Sequence, residues 1–175
     1  PVTVAAVILP PMTLIPGLND SKKLTEEKRE ELYDIIMAEA VAVSCISYSP
    51  EKIDELNIYE ATRQAMYEAI RTLSVPAEAV VADAMKLPDL RIPVESIIKG
   101  DSKSANIAAA SIIAKVTRDR YMKSLDDEFP GYGFGIHKGY YTELHKEAIE
   151  QQGVTPLHRK SFEPIKSIVR WVKPE

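Results

Sequence analysis

Apolar residues along the chain form two patterns, short continuous runs and stripes with helical spacing. Continuous runs of small and β-branched residues predict buried strands at 2–9, 40–48, 79–82 and 94–98. Stripes that begin at capping residues predict helices over about 26–38, from 50, over about 57–75, from 105, over about 143–153 and near 165–171. Strands alternating with helices in this way predict an α/β layer structure with a mixed sheet.

The segment 99–122 contains the most informative stripe. Its small and apolar positions are Ala105, Ala109, Ile112 and Val116, and the next position on the same face is Asp119. A carboxylate on a buried face is costly unless a cation neutralises it. Two interpretations therefore stay open. The helix delivers Asp119 to an interior or cleft position, or Asp119 pairs with Arg118, Arg120 or another nearby cation.

A second carboxylate, Asp83, directly follows the apolar run 79–82. In open α/β sheets, ligands and catalytic groups collect at the carboxyl ends of strands, so an acid at this position is a candidate functional residue. The alternative is that Asp83 only starts the following turn by bonding to its own backbone, which is a common role for aspartate.

Basic, hydroxyl and aromatic residues accompany these acids. Lys22 precedes a helix cap, and Ser102 and Lys103 stand just before the next long helix, where side chains and free backbone N–H groups can hold phosphate. Solvation of the lysines and ordinary capping by the serines also explain these positions. The glycine- and aromatic-rich segment 129–142, which contains Lys138, suits stacking on sugars or bases.

Composition limits the classes of function. The 175 residues carry a net charge of −4, but residues 1–98 carry −7 and residues 99–175 carry +3, so the basic half is compatible with a phosphate-rich substrate. Cys45 is the only cysteine, which excludes an intrachain disulfide and indicates a reducing, cytoplasmic compartment. No apolar run approaches the ~20 residues of a membrane-spanning helix. The three histidines lack metal-ligand spacing, so two of them are expected in surface or capping roles.

Carboxylates without a histidine–cysteine cluster favour a hard, oxygen-preferring cation such as Mg²⁺ or Mn²⁺. Two such ions about 4 Å apart can activate water on one side of a phosphodiester and stabilise the leaving oxygen on the other. From composition and spacing alone, phosphodiester hydrolysis is one hypothesis among several. Action on a small phosphorylated metabolite is another.

Six segments together resemble bacterial ribonuclease HII, the type 2 ribonuclease H. They are GLNDSKKL, IDELNIYEAT, VVADAMKLP, IIKGDSKSANIAAASIIAKVTRDRYM, HKGYYT and GVTPLHRKSFEPIK. The resemblance implies a ribonuclease H-like fold, with a mixed central sheet flanked by helices in residues 1–130 and a substrate-binding helical extension in residues 131–175. It also implies a monomeric, Mg²⁺- or Mn²⁺-dependent endonuclease that uses two metal ions. Such an enzyme cleaves RNA in RNA–DNA hybrids and on the 5′ side of single ribonucleotides in duplex DNA.

Individual residues match positions in these motifs. Asp83 and Asp119 resemble the family's third and fourth active-site carboxylates, which are catalytic and bind metal. Tyr140 resembles the tyrosine that stacks on the deoxyribose after the ribonucleotide and helps to sense the 2′-hydroxyl. Four further residues resemble nucleic-acid-binding positions: Ser102, Lys103, Lys22 and Lys138. Tyr141 departs from the family, in which a small residue or proline follows the tyrosine.

The resemblance also implies a strand that the chain does not contain. In the family, a first strand with an adjacent Asp-Glu pair and a Gly-Arg-Gly loop precedes the segment that begins here at Pro1. An upstream piece is therefore expected to supply two metal-binding carboxylates and a central strand, and the 175-residue chain alone is expected to show no hydrolysis. The alternative is a non-catalytic module that binds RNA–DNA hybrids.

Overall fold

The computed structural model describes residues 1–175. The strands are β1 (Val2–Ile8), β2 (Ala42–Tyr48), β3 (Val80–Asp83) and β4 (Val94–Ile97). The helices are α1 (Glu26–Glu39), α2 (Pro50–Leu56), α3 (Ile58–Arg71), α4 (Ala105–Glu128), α5 (Phe134–His137), α6 (Glu143–Gln152) and α7 (Ile165–Val169). Every strand and helix expected from the sequence is present. One further helix, α5, lies in the glycine- and aromatic-rich segment.

Side-chain caps account for where the helices begin. Thr25, Ser49, Asn57, Ser104 and Thr142 each accept a backbone hydrogen bond from the first turn of the helix that follows. Asn57, with a φ of 74°, both ends α2 and starts α3. The Glu60 side chain does not complete the expected capping box, because it binds Arg63 instead.

The longest helix, α4, packs against β1 and α1 and forms the centre of the main core. The Leu9 backbone N–H donates to Asn106 Oδ1 (3.0 Å) at the start of α4, whereas Arg118 Nε donates to Pro1 O (3.1 Å) further along. These two contacts show that α4 runs antiparallel to β1. No helix of the chain, α4 included, combines the length and the hydropathy needed to cross a membrane.

The strands form two separate two-stranded sheets. β1 and β2 pair antiparallel from Val2↔Tyr48 to Ile8↔Ala42, and β3 and β4 pair in parallel from Val80↔Val94 to Asp83↔Ile97. The predicted mixed α/β class is therefore confirmed, but the sheet is in two pieces, because β1 and β3 have no strand between them.

A groove of about 940 Å³ separates the two sheets. Consecutive residues of Thr3–Leu9 and Ala77–Asp83 line it, so the unpaired edges of β1 and β3, rather than one face of each, border this space. Residues of α3, α4 and the connecting segments line the rest of the groove, and 19 of its 30 lining residues are hydrophobic. An apolar slot between two free strand edges is suited to an additional strand that is buried on both faces.

Candidate active site

Asp83 lies at the carboxyl end of β3, where the sequence places it. Its Oδ1 accepts a hydrogen bond from the Gly100 N–H (3.0 Å), which ties the end of β3 to the turn before α4. Gly100 favours this close approach, since a Cβ there would lie 2.5 Å from Ile107 Cδ1, which would have to shift, and 3.5 Å from Asp83 Cα. The side chain of Asp83 therefore does not simply start its own turn.

Two further acids, which the sequence analysis did not single out, lie near Asp83. The pKa of the Asp101 carboxyl is raised by partial burial, then by the negative charges of Asp20 and Asp83, and by a hydrogen bond with Asp20. Asp20 lies in the segment GLNDSKKL, and Asp101 lies in the segment KGDSKS. No protein cation forms a salt bridge with any of these three carboxylates. Backbone N–H groups contact them instead, from Gly100 to Asp83 and from Lys22 to Asp20.

The chemistry of these acids fits a hard divalent cation only in part. Carboxylate oxygens are the ligands that Mg²⁺ and Mn²⁺ prefer. However, no group of three or more acidic, histidine or cysteine side chains is arranged to hold an ion by itself. The chain thus supplies suitable donors near the carboxyl end of β3 without a complete coordination shell.

Asp119 is buried, as its position on the helical stripe predicts, and is 5% exposed. Its Oδ1 accepts from Lys115 Nζ (2.9 Å), and its Oδ2 lies 3.9 Å from Arg29 Nη2. Arg29 also donates to Ser21 O (3.0 Å) and Leu24 O (2.6 Å). Asp119 therefore connects α4, through Arg29, to the turn that carries Lys22.

The cations that the sequence offered for Asp119 have other partners. Arg118 donates to the carbonyl oxygens of Pro1 and Lys138, and Arg120 binds Glu30 of α1. The pairing interpretation of Asp119 was thus right in kind, with Lys115 and the distant Arg29 as the partners.

The structure does not bring Asp83 and Asp119 together. The turn beside Asp83 contacts Ile107, and Asp119 lies twelve residues further along α4, a rise of about 18 Å. A helical stripe indicates which residues are buried, but it does not indicate which of them are close to a strand end elsewhere in the chain.

The residues expected to bind nucleic acid differ in their exposure and in their hydrogen bonds. Lys22 and Lys103 are exposed, and each follows closely on an acid of the cluster, Asp20 or Asp101. Ser102 Oγ donates to Lys99 O (2.9 Å), so this hydroxyl is used locally. Lys138 is partly buried, its ammonium donates to the Gly135 carbonyl, and its pKa is lowered chiefly by burial.

Tyr140 is 65% exposed, as a stacking residue requires. The Lys115 ammonium lies 6.0 Å from the centroid of its ring, so Lys115 lies between Asp119 and Tyr140. Nearby, the histidines are not at the surface, because His137, His145 and His158 are all buried and form one cluster, although His137 and His158 each accept a local backbone N–H. Their spacing in the sequence has no period that could have revealed it.

The chain has clear relatives among known proteins. A family model described as Ribonuclease HII matches residues 1–165. Proteins named ribonuclease HII from a strain of Bacillus cereus and from Bacillus anthracis are each 59% identical over 170 residues. That match covers 97% of this chain and 66% of either relative, so the chain spans just under two thirds of their length.

Solved structures give the same result for the fold. The ribonuclease H2 of Pyrococcus horikoshii OT3 superposes with a TM-score of 0.72 and 25% identity, over 88% of this chain and 81% of that one. The RNase HII of Archaeoglobus fulgidus, solved in complex with PCNA, gives 0.66 and 29%, over 84% and 79%. Bst-RNase HIII in complex with Mn²⁺, at 0.60 and 17% over 88% and 58%, shares the fold.

Proposed function

Because the chain belongs to the ribonuclease HII family, we propose that it forms the larger part of an endonuclease for ribonucleotides in duplexes. Its substrates are RNA–DNA hybrids and duplex DNA with single embedded ribonucleotides, cut on the 5′ side of the ribonucleotide. It acts as a monomer, and Mg²⁺ or Mn²⁺ is its cofactor. A related structure with bound Mn²⁺ supports that choice of metal.

One observation carries this proposal: the negative charges of Asp20 and Asp83 help to raise the pKa of Asp101, and no protein cation forms a salt bridge with any of the three. Carboxylates without a salt bridge at the carboxyl end of a strand are suited to a divalent cation. When bound, such ions supply an activated water and stabilise the leaving oxygen of a phosphodiester. We therefore assign Asp83 and Asp101 as the metal-binding carboxylates of this chain, with Asp20 beside them.

Asp119 has a different role in this proposal. The sequence predicts it as a metal ligand, but Lys115 and Arg29 already neutralise its charge. We propose that it is a positioning residue, which holds Arg29 against the turn 21–24 and Lys115 beneath the ring of Tyr140. It influences the site through these two cations.

The exposed residues around the acids bind the duplex. Lys22 and Lys103 contact phosphates, and Ser102 and Lys138 shape the surface near them through their contacts with the backbone. Tyr140 stacks on a sugar next to the ribonucleotide. Phosphate contacts place the duplex, and the tyrosine distinguishes the ribonucleotide from its neighbours.

The groove between β1 and β3 indicates what else hydrolysis requires. We propose that a strand with an acidic pair, such as the Asp-Glu strand of the family, fills this apolar slot and completes the metal site. A central strand there pairs with both free edges and places its carboxylates beside the carboxyl end of β3. The 175-residue chain alone then binds duplexes without cutting them.

A chimaera tests this proposal. The chain is extended at its N-terminus with a segment that carries the family's Asp-Glu pair and Gly-Arg-Gly loop, and both forms are assayed on a duplex with one ribonucleotide in Mn²⁺. We expect cleavage 5′ to the ribonucleotide by the chimaera only. A second chimaera, in which Asn-Gln replaces the Asp-Glu pair of the added segment, controls for folding. Robust cleavage by the unextended chain would refute the role of the added strand.

A second function, binding of RNA–DNA hybrids without hydrolysis, is favoured by the lack of a complete ion-binding group. The chimaera separates the two functions. A pure binder holds the duplex equally well in EDTA and in Mn²⁺, and gains no cleavage from the added strand. A nuclease gains cleavage, and that gain requires Asp83.

A further inference from the structure

The backbone beneath Tyr140 is fixed although the ring itself is exposed. The Tyr140 N–H donates to His137 O (3.0 Å), and its carbonyl accepts from the Thr142 N–H (2.9 Å) and from His145 Nδ1 (3.0 Å). The preceding Gly139 N–H donates to His137 Nδ1 (3.0 Å). An exposed aromatic side chain on such a restrained loop is typical of a preorganised contact.

The hydrogen bond from His145 ends a chain of hydrogen bonds, here called the relay, that runs from Thr155 through His158 and His145 to Tyr140. Backbone groups at its two ends determine which atoms donate. The Thr155 N–H can only donate, so His158 Nδ1 accepts (3.0 Å) and the proton of neutral His158 is on Nε2. This Nε2–H donates to His145 Nε2 (2.8 Å), which leaves the proton of His145 on Nδ1. A carbonyl oxygen can only accept, so the bond from His145 Nδ1 to Tyr140 O requires the same tautomer.

Packing holds the relay in place. The rings of His137 and His145 are stacked, with centroids 4.1 Å apart and an angle of 7° between their planes. Phe134 contacts both rings edge-on, at 5.6 Å and 5.8 Å between centroids. Burial lowers the pKa of His145 and lowers that of His158 to about 4, so both rings are neutral at pH 7.

We propose that His145 and His158 are positioning residues that fix the Tyr140 backbone and thereby set how well the protein distinguishes a ribonucleotide from a deoxyribonucleotide. This inference rests on the proposed function, in which Tyr140 contacts the substrate. The relay orders the loop during folding, so the ordering does not have to occur on binding. Loss of the relay frees the tyrosine ring without removing any group that touches the duplex.

The test compares two substitutions of His145 in the 175-residue chain. In His145→Asn the amide N–H lies near the position of Nδ1 and can still donate to the Tyr140 carbonyl, whereas His145→Leu has no donor. Fluorescence anisotropy in EDTA gives Kd for a duplex with one ribonucleotide and for the all-DNA duplex. We expect His145→Leu to weaken binding of the ribonucleotide duplex about tenfold and to leave the all-DNA Kd unchanged. His145→Asn should retain most of the discrimination.

A matched variant separates positioning from general destabilisation. Ile149→Ala removes buried apolar atoms from the same helix and leaves the relay intact. Hydrogen exchange at Gly139 and Tyr140 should accelerate in His145→Leu but not in Ile149→Ala, and discrimination should follow exchange. Equal discrimination by His145→Leu and wild type overturns the inference, as does equal loss in Ile149→Ala. If the wild-type chain does not discriminate, the proposed role of Tyr140 fails, and the inference fails with it, whereas cleavage by the chimaera tests the proposed function separately.

Discussion

Two acids, one in the turn before α4 and one on α4, lie in opposite surroundings. In the turn, Asp101 is next to Asp20 and Asp83, and its pKa is raised. In the C-terminal half of the helix, Asp119 is buried between Lys115 and Arg29. The first group is electrostatically strained and the second is neutralised. An acid with a raised pKa beside other acids is common at functional sites, whereas an acid held by two cations is costly to remove and has little capacity left for a metal ion.

The largest expected effect is on kcat, which should fall much further when Asp83 or Asp101 is replaced than when Asp119 is replaced. In the chimaera, Asp83→Asn and Asp101→Asn should each lower kcat by on the order of a thousandfold, because each removes several kcal/mol of metal-dependent transition-state stabilisation. Asp119→Asn should lower it by about 10- to 100-fold, the range for a group that acts through others. Single-turnover cleavage of a duplex with one ribonucleotide measures all three.

The metal dependence of the same variants provides the control. Asp101→Asn should shift the Mn²⁺ concentration for half-maximal activity upwards, while Asp119→Asn should leave it near the wild-type value. The opposite ranking, with Asp119 controlling metal affinity and Asp101 silent, would restore the pairing of Asp83 with Asp119 that the sequence suggests.

Lowering the pH should have opposite effects on the stability contributed by Asp101 and by His158. The pKa of His158 falls from an ordinary 6.5 to about 4 in the folded chain, so the unfolded chain binds a proton first as the pH drops. Stability from this residue is therefore complete above pH 6.5 and falls by up to about 3 kcal/mol near pH 4. The raised pKa of Asp101 acts the other way, since its repulsion is relieved as the pH falls through that pKa.

Urea unfolding at pH 7, 6, 5 and 4 measures these contributions as differences between variants. His158→Gln should lose stability at pH 7 and show a flatter decline towards pH 4 than the wild type. The stability of Asp101→Asn should decline more steeply than that of the wild type, since this variant has no carboxylate repulsion for acid to relieve. Parallel curves for the wild type and His158→Gln would contradict the neutral, buried state of the cluster.

Replacing Asp119 or Asp101 should change the free energy of unfolding in opposite directions. Asp119→Asn leaves Lys115 and Arg29 without their carboxylate and should lower the free energy of unfolding by about 2–3 kcal/mol. This is below the ~3–5 kcal/mol of a fully buried pair, because the Lys115 side chain is 23% exposed. Asp101→Asn removes repulsion and should raise stability slightly. Urea unfolding at pH 7 measures both, and a shared sign would contradict the contrast between these two acids.

Spacing along the chain predicted local features well and long-range contacts poorly. The burial of Asp119 follows from its place on the α4 stripe, and the position of Asp83 follows from its place at the end of an apolar run. The partnership of Asp119 with Arg29 joins residues 90 positions apart, and no periodicity reveals it. The same limit applies to Asp20 and Asp101, which meet only because two turns fold towards each other.

The histidine cluster and the divided sheet show this limit on a larger scale. His137, His145 and His158 come from a short helix, a second helix and a loop, so their spacing looks like that of unrelated surface residues. The absence of a central strand was expected only from the family resemblance, and its place between β1 and β3 was not predicted. Hydrophobic patterns predict a strand's burial, but they do not predict whether its neighbouring strand is present.

The smallest expected effect tests how the turn at the N-terminal end of α4 is assembled. Gly100→Ala places a Cβ 2.5 Å from Ile107 Cδ1 and should destabilise the chain by about 1–2 kcal/mol, as overpacking does. Ile107→Val removes that Cδ1, so the double variant should recover much of the loss. Because the Gly100 N–H binds Asp83, the single variant should also weaken cleavage by the chimaera more than its stability loss explains.

Additive effects of Gly100→Ala and Ile107→Val in a double-mutant cycle would contradict the contact on which this end of the helix depends. A coupling without any change in cleavage would separate folding from function: the turn would then pack against α4 without setting the direction of the Asp83 carboxylate. With coupling in both measurements, one glycine determines how closely the end of β3 approaches the first turn of α4. The acids without salt bridges would then owe their proximity to that approach.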